Sequence, residues 1–251
     1  MKHVRQKLKK IPIFVHALFS LLHPKSWGPF TEAFRHTKFD HSFSVSWSQG
    51  GEDLALLHIL EQNSSRRYLD IGAHHPSRFS VTRHLYQLGW TGVNVDANPD
   101  AEIAFSKERP HDIFVHACVG TSQGYTFYIF EEPAISTNNI LWREKFTKEN
   151  QKLKATIEVR GMRLGEIISM HFKDGLDLLV VDAEGSDFDV LESGDWQNLS
   201  SNFWPTWIVC ETTPPLKRVT ESQHVKLLEN LGYAIYLVLP MSTILRKKQI
   251  K

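Results

Sequence analysis

Two carboxylates, separated by one alanine, follow a short run of apolar residues. The run is Leu178–Val181, and the acids are Asp182 and Glu184. A fully apolar run of this length is typical of a buried parallel strand, and ligands bind at the carboxyl ends of such strands. A carboxylate in this position can take a proton from a hydroxyl group, or it can cap a helix over residues 186–192. We favour the chemical role for both residues.

A second motif, over residues 68–98, predicts a strand, a tight loop, a helix and another strand. Gly72 allows the loop to turn sharply and to approach a ligand closely. The second strand ends in Asp96, whose carboxylate can accept hydrogen bonds from both hydroxyls of a ribose. An acidic residue about twenty residues after the first turn is typical of nucleotide-binding βαβ units. The motif therefore predicts a nucleoside site.

These two motifs, which contain three short segments, and two other segments together resemble a known family. In chain order they are residues 48–53 (SQGGED), 70–73 (DIGA), 96–99 (DANP), 180–185 (VVDAEG) and 208–211 (IVCE). Residues 70–73 and 96–99 look like the nucleoside-binding half of S-adenosylmethionine (SAM) methyltransferases. The whole set is similar to the FkbM-type family, whose known members are mostly O-methyltransferases of sugars and polyketide-type hydroxyls. The resemblance covers residues 48–240 and implies SAM as the cofactor.

The resemblance, together with position in the chain, assigns the site residues. The expected cofactor contacts are Asp70, Gly72, Ala73, His74, Asp96, Ala97, Asn98, Cys118 and Asp182. The expected catalytic residues are Asp182, Glu184 and His75, although His75 could equally hydrogen-bond within its own loop. Glu211 and Asn138 are expected to contact a small-molecule or glycan acceptor. Asn138 belongs to residues 131–142, which we interpret as a substrate-facing loop.

Other functions need to be weighed against O-methylation. Mg²⁺ could bind Asp182, Glu184 and a nearby histidine, but no spacing supports it and we assign no metal ligand. A nicotinamide oxidoreductase needs a G-x-G-x-x-G loop, whereas Gly72 is followed by Ala73 and two histidines. A non-catalytic module that keeps the SAM fold is a further alternative. A metal-dependent hydrolase would use the same acidic residues.

The order of elements predicts the fold class. Buried strands alternate with amphipathic helices from Arg67 onward, so we expect an α/β fold with a doubly wound, mostly parallel sheet. By resemblance, the last strand, at residues 233–239, should run antiparallel. We expect residues 48–251 to form this domain and residues 1–47 to form a basic, amphipathic extension.

Charge and the N-terminal segment limit the partners. Lys and Arg total 29 and Asp and Glu total 28, so the net charge of +1 gives no electrostatic signature for nucleic acid. Both cysteines, Cys118 and Cys210, lie in apolar runs that suit buried thiols. An apolar helix at residues 11–22 is too short to span a membrane, but with its basic neighbours it could lie on an anionic surface or pack on protein. We therefore expect a cytoplasmic protein, peripheral at the inner face of a membrane at most.

Overall fold

The computed structural model describes residues 45–60, 65–212 and 216–248. Its strands are β1 (Arg67–Ile71), β2 (Thr91–Asp96), β3 (Ile113–His116), β4 (Cys118–Val119), β5 (Gly124–Phe130), β6 (Leu153–Met162), β7 (Leu178–Val181), β8 (Trp207–Glu211), β9 (Tyr233–Val238) and β10 (Ser242–Lys247). Its helices are α1 (Glu52–Ile59), α2 (Arg83–Gln87), α3 (Asp100–Glu108), α4 (Ile140–Lys148), α5 (Leu164–His171), α6 (Asp187–Glu192), α7 (Leu216–Glu221) and α8 (Gln223–Asn230). Short 3₁₀ turns cover Pro133–Ile135 and Ser201–Phe203.

Within the described residues, the main sheet has the strand order β3-β2-β1-β7-β8-β10-β9. Every neighbouring pair is parallel except those made by β10, which runs antiparallel to both β8 and β9. The predicted α/β class with a mostly parallel sheet is confirmed. The antiparallel strand, however, is β10, which follows the predicted last strand in the chain. The predicted strand at residues 233–239 is β9, which runs parallel to β8.

Helices cover both faces of the sheet because its central strands are apolar on both sides. Leu179 and Val181 of β7 face a core that includes apolar residues of α5, α6 and α8. Leu178 and Val180 face a second core with Leu56 of α1 and Leu85 of α2. This two-sided burial is the physical origin of the uninterrupted apolar run in the sequence.

A second, smaller sheet with the order β4-β6-β5 adjoins the first. Its strands β5 and β6 form a long antiparallel pair, and Phe127 and Val159 pack with Ala97 and Cys118 in a shared cluster. The small sheet therefore covers the carboxyl end of β2.

The predicted N-terminal helix, at residues 11–22, lies outside the described residues, so the domain boundary after residue 47 stays a prediction. The described residues from Ser46 onward belong to one compact unit. Among them, no helix has both the length and the apolar character that crossing a bilayer requires.

Candidate active site

The carboxyl ends of β1, β2, β7 and β8 meet at one edge of the sheet, where they border a cleft. Two adjoining cavities make up this cleft, and both are lined by Gly72, His74, Ala134, Asp182 and Glu184. The register of β1 against β7 explains the meeting, since Ile71 pairs with Val181. The residue after each strand, Gly72 or Asp182, therefore enters the cleft beside the other.

Only glycine fits at position 72, where the loop after β1 passes close to the backbone of Asp182. Its φ of 77° lies in the left-handed region, and a Cβ atom added there would be 1.8 Å from the carbonyl oxygen of Asp182. The amides of Gly72 and Ala73 both donate to the carbonyl of Val95, at 2.9 and 3.1 Å. The loop is thus held against β2 on one side and β7 on the other.

Asp96 sits at the end of β2 with each carboxylate oxygen already fixed by one backbone amide. The amide of His74 donates to Oδ2 at 2.8 Å, and that of Asn98 to Oδ1 at 2.7 Å. Each oxygen keeps capacity for a second hydrogen bond, and Asp96 lines the second cavity with Ala97 and Cys118. Burial raises the pKa of Asp96, while the two amides oppose that rise.

Asn98, an expected cofactor contact, is not among the residues that line the two cavities. Its Oδ1 accepts from the amide of Asp100 at 3.1 Å and so caps the start of α3. Its contribution to the site is the backbone amide that holds Asp96.

The second cavity is apolar around Asp96. Ala97, Cys118 and Val119 line it from the ends of β2 and β4, and Phe127 closes it from β5. Burial raises the pKa of the Cys118 thiol to about 12, so this side chain is a neutral, apolar surface. Phe127 was absent from the sequence prediction because its contact depends on a second sheet that no local pattern reveals.

Asp70 is buried at the end of β1, where it lines the first cavity with Ala73. Thr82 donates a hydrogen bond to its Oδ2 at 2.7 Å. Burial raises the pKa of Asp70 to about 6, while Thr82 and the buried guanidinium of Arg109 favour its charged form.

The two histidines of the loop, His74 and His75, lie in different surroundings. His74 lines both cavities, and burial lowers its pKa to about 4, so it is neutral at physiological pH. Its Nε2 is enclosed and has no hydrogen-bond partner in the described part of the chain. His75, in contrast, is not among the residues that line the cleft. Its Nδ1 accepts from the amides of Ser77 and Arg78, at 3.1 and 3.0 Å, so this nitrogen stabilises the turn of its own loop.

Carboxylates are concentrated on the floor of the first cavity. Asp182, Glu184 and Glu211 line it together, and Asp187 lies behind them at the start of α6. Burial, followed by repulsion from Glu211 and Asp187, raises the pKa of Glu184 to about 8. Burial and repulsion from Asp187 raise the pKa of Glu211 to about 7, and the positive charge of Lys145 partly offsets this rise.

Asp182 is surrounded by protein but remains open to the cleft. Burial and the neighbouring acids, Glu211 first, raise its pKa well above the ordinary value. Its side chain is nevertheless exposed to the open cleft, where a bound cation would favour the charged form.

The loop predicted to face the substrate is bound to the carboxylate turn. Thr137 donates to the carbonyl of Glu184 at 2.8 Å, and the side chain of Asn139 donates to that of Gly185 at 2.7 Å. Asn138 lines the second cavity and accepts from Ser186 Oγ at 2.6 Å. The loop is shorter than expected, because α4 begins at Ile140. It holds Glu184 in its left-handed conformation, with a φ of 45°.

The segment 48–53 stabilises its own turn and also contributes a side chain to the cleft. Asp53 is fully buried and caps the local turn, since its carboxylate accepts from Ser46, Trp47 and Ser48. Glu52 lines the first cavity and accepts from Ser242 Oγ at 2.8 Å. Within the residues that the structure describes, no three His, Cys, Asp or Glu side chains are arranged to hold a metal ion.

The chain is similar to known methyltransferases in sequence and in structure. No curated protein matches the chain. Among solved structures, the methyltransferase FkbM of Methylobacillus flagellatus KT aligns with a TM-score of 0.47 and 12% identity, over 79% of this chain and 48% of that one. This chain thus spans about half the length of that protein. A TehB-like SAM-dependent methyltransferase of Corynebacterium glutamicum aligns with a TM-score of 0.41 and 11% identity, over 90% of this chain and 100% of that one.

The family assignment itself depends on a sequence comparison. The model of the methyltransferase FkbM domain matches residues 70–235, which include Asp70, Gly72, Asp96, Asp182 and Glu184. Because this match covers more than half of the chain, the protein belongs to the FkbM methyltransferase domain family.

Proposed function

We propose that this protein is a SAM-dependent O-methyltransferase that acts on a hydroxyl of a sugar or a related small metabolite. The observation that carries the proposal is the position of Asp182, Glu184 and Glu211. These three acids line one cavity at the ends of β7 and β8, beside the Gly72 loop. A cationic methyl donor and a hydroxyl acceptor both need such acidic groups.

The second cavity fits the adenosine part of SAM. Asp96 retains acceptor capacity for two ribose hydroxyls, and the apolar walls at Ala97, Cys118 and Phe127 suit an adenine ring. The methionine part would then lie in the first cavity, near Asp70 and the neutral imidazole of His74. A diphosphate cofactor fits this loop less well, because it needs several glycines for close approach of the backbone.

For methyl transfer, the protein must align the acceptor oxygen with the methyl group and remove the proton of the hydroxyl. When SAM is bound, its sulfonium activates the methyl group for transfer. Glu184 and Glu211 supply carboxylates with pKa values near physiological pH, as a general base requires. Asp182, between them and the Gly72 loop, supplies negative charge toward the cofactor cation.

Calorimetry and methyl transfer test the two halves of the proposal. Asp96→Ala should weaken SAM binding by about 1.5–3 kcal/mol, because hydrogen bonds to a charged group are lost. Asp100→Ala, which removes an exposed acid on α3 that pairs with Lys154, is the matched control. Unchanged SAM affinity in a folded Asp96→Ala protein would contradict the assignment.

Acceptors are then found by screening for a methyl mass gain. With the best acceptor, single-turnover rates of Glu184→Gln and Glu211→Gln should fall by about 10²–10⁴-fold, whereas the exposed-site control Glu192→Gln should not change. If SAM binds and no acceptor is methylated, the alternative of a non-catalytic module gains support. Wild-type rates in both glutamine variants would place the base elsewhere.

A further inference from the structure

A second groove opens beside the carboxylates, on the far side of Glu211 from the cofactor cleft. Its volume is about 340 Å³, and Glu211 lines both the groove and the first cavity. The other walls come from α4, α6, α7 and α8 and carry Trp142, Phe188, Arg218, Gln223 and His224. The groove therefore continues the reaction cavity away from the cofactor.

Its walls combine aromatic and polar groups. Trp142 packs its indole edge on Gly185, where an added Cβ would lie 2.2 Å from Nε1. Phe188, on the first turn of α6, is 37% exposed. Aromatic surface with a few placed polar groups is typical of sites for small polar ligands, and the C–H faces of a sugar ring can pack on such surface.

His224 adds an independent sign of a missing ligand. Its Nε2 is enclosed but has no hydrogen-bond partner in the described ranges, although it belongs to a side chain on the groove wall. An enclosed polar atom without a hydrogen-bond partner destabilises the folded protein. A hydroxyl group of a ligand in the groove could supply this missing partner.

We infer that the groove binds a second sugar unit of the acceptor. The acceptor would then be an oligosaccharide or glycoside of at least two units, with its reacting hydroxyl near Glu184 and Glu211. A purely apolar chain fits less well, because it would remove water from Arg218, Gln223 and His224 without replacing their hydrogen bonds. This inference rests on the proposed function, since it assumes a sugar acceptor at the carboxylates.

Binding of the full-length protein to an array of mono-, di- and longer saccharides, at saturating S-adenosylhomocysteine, tests the inference. We expect retention on saccharides of two or more units and little on the matching monosaccharides. By calorimetry with the best disaccharide, Phe188→Ala and His224→Ala should each weaken binding by about tenfold. Tyr236→Ala, which removes an exposed aromatic ring from β9, should leave it unchanged.

The outcomes separate this inference from the proposed function. If the wild-type protein does not bind S-adenosylhomocysteine, the proposed function is rejected. Retained nucleoside binding with no bound saccharide would overturn only the second-unit inference. Equal affinity for mono- and disaccharide, or wild-type affinity in both groove variants, would also overturn it.

Discussion

Replacement of Arg109 should show how the cofactor loop is held. This guanidinium is fully buried and donates to the carbonyl of Pro76 from Nε at 2.9 Å, to Ser80 Oγ at 2.6 Å and to Thr82 Oγ1 at 2.8 Å. Thr82 in turn donates to Asp70 in the cleft. The loop between β1 and α2 is therefore anchored at three points by one side chain.

The expected loss of stability on replacing Arg109 follows from the burial of its counterion, Asp112. Asp112 lies 3.8 Å from Nη1, and the side chains of both partners are at most 1% exposed. Removing one partner of a buried ion pair typically costs about 3–5 kcal/mol, because the other charge stays buried. We expect Arg109→Met to lower the free energy of unfolding by this amount. Arg78→Met, which breaks an exposed pair with Glu132, should cost about 0.2–1 kcal/mol.

Urea denaturation of the full-length variants gives the comparison directly. A second readout is the pH dependence of SAM binding. Without the positive charge of Arg109, the pKa of Asp70 should rise above its present value of about 6. A loss of stability below about 1 kcal/mol, or one equal to that of Arg78→Met, would refute the reasoning. If Arg109→Met does not fold, Thr82→Val keeps the guanidinium but removes the hydrogen bonds that Thr82 donates to Asp70 and accepts from Arg109, and should cost about 0.5–1.5 kcal/mol for each bond.

Two further predictions concern pH and cofactor exchange. The pKa values of Glu184 and Glu211, about 8 and about 7, predict that methyl transfer rises from about pH 6 to about pH 8; Glu184→Gln should remove much of that rise. Because the pKa of Glu184 is higher in the folded than in the unfolded protein, protonated Glu184 stabilises the fold. This stabilisation is complete below the unfolded pKa of about 4.5 and is lost as the pH rises to about 8. Urea denaturation at both ends of this pH interval measures the change in the free energy of unfolding. The Arg78–Glu132 pair, with contacts of 2.7 and 2.8 Å, joins the Gly72 loop to the turn before Ala134. Glu132→Gln should therefore speed S-adenosylhomocysteine release in stopped flow by up to about fivefold, and an unchanged release rate would contradict a role in closing the cleft.

The sequence was informative where local pattern and long-range position coincide. The apolar run before Asp182 is apolar because both faces of β7 are buried, so one pattern indicated both a central strand and the residue at its end. Gly72 and Asp96 were identifiable for a related reason: a βαβ unit fixes their separation within a single local segment. Both lie in the cleft, as that unit requires.

What the sequence did not reveal depends on contacts between distant segments. Phe127 reaches the second cavity from a small sheet, and β10 inserts between β8 and β9, a strand order that local periodicity does not encode. His75 and Asn98 do not line the two cavities for a different reason. Both residues lie in the expected loops, but their side chains accept hydrogen bonds from nearby backbone amides.

The acidic floor of the cleft links folding to the proposed chemistry. Asp182, Glu184 and Glu211 repel one another at the ends of adjacent strands, and the nearest cation acting on the two glutamates is Lys145 on α4. Burial and like charge make full ionisation of this set costly in the open cleft, so protons occupy part of it near neutral pH. A ligand that brings positive charge to Asp182 favours ionisation of the same carboxyls. In the proposed reaction, the sulfonium would thus do two things: activate the methyl group, and lower the pKa of the carboxylates that must accept the proton of the hydroxyl.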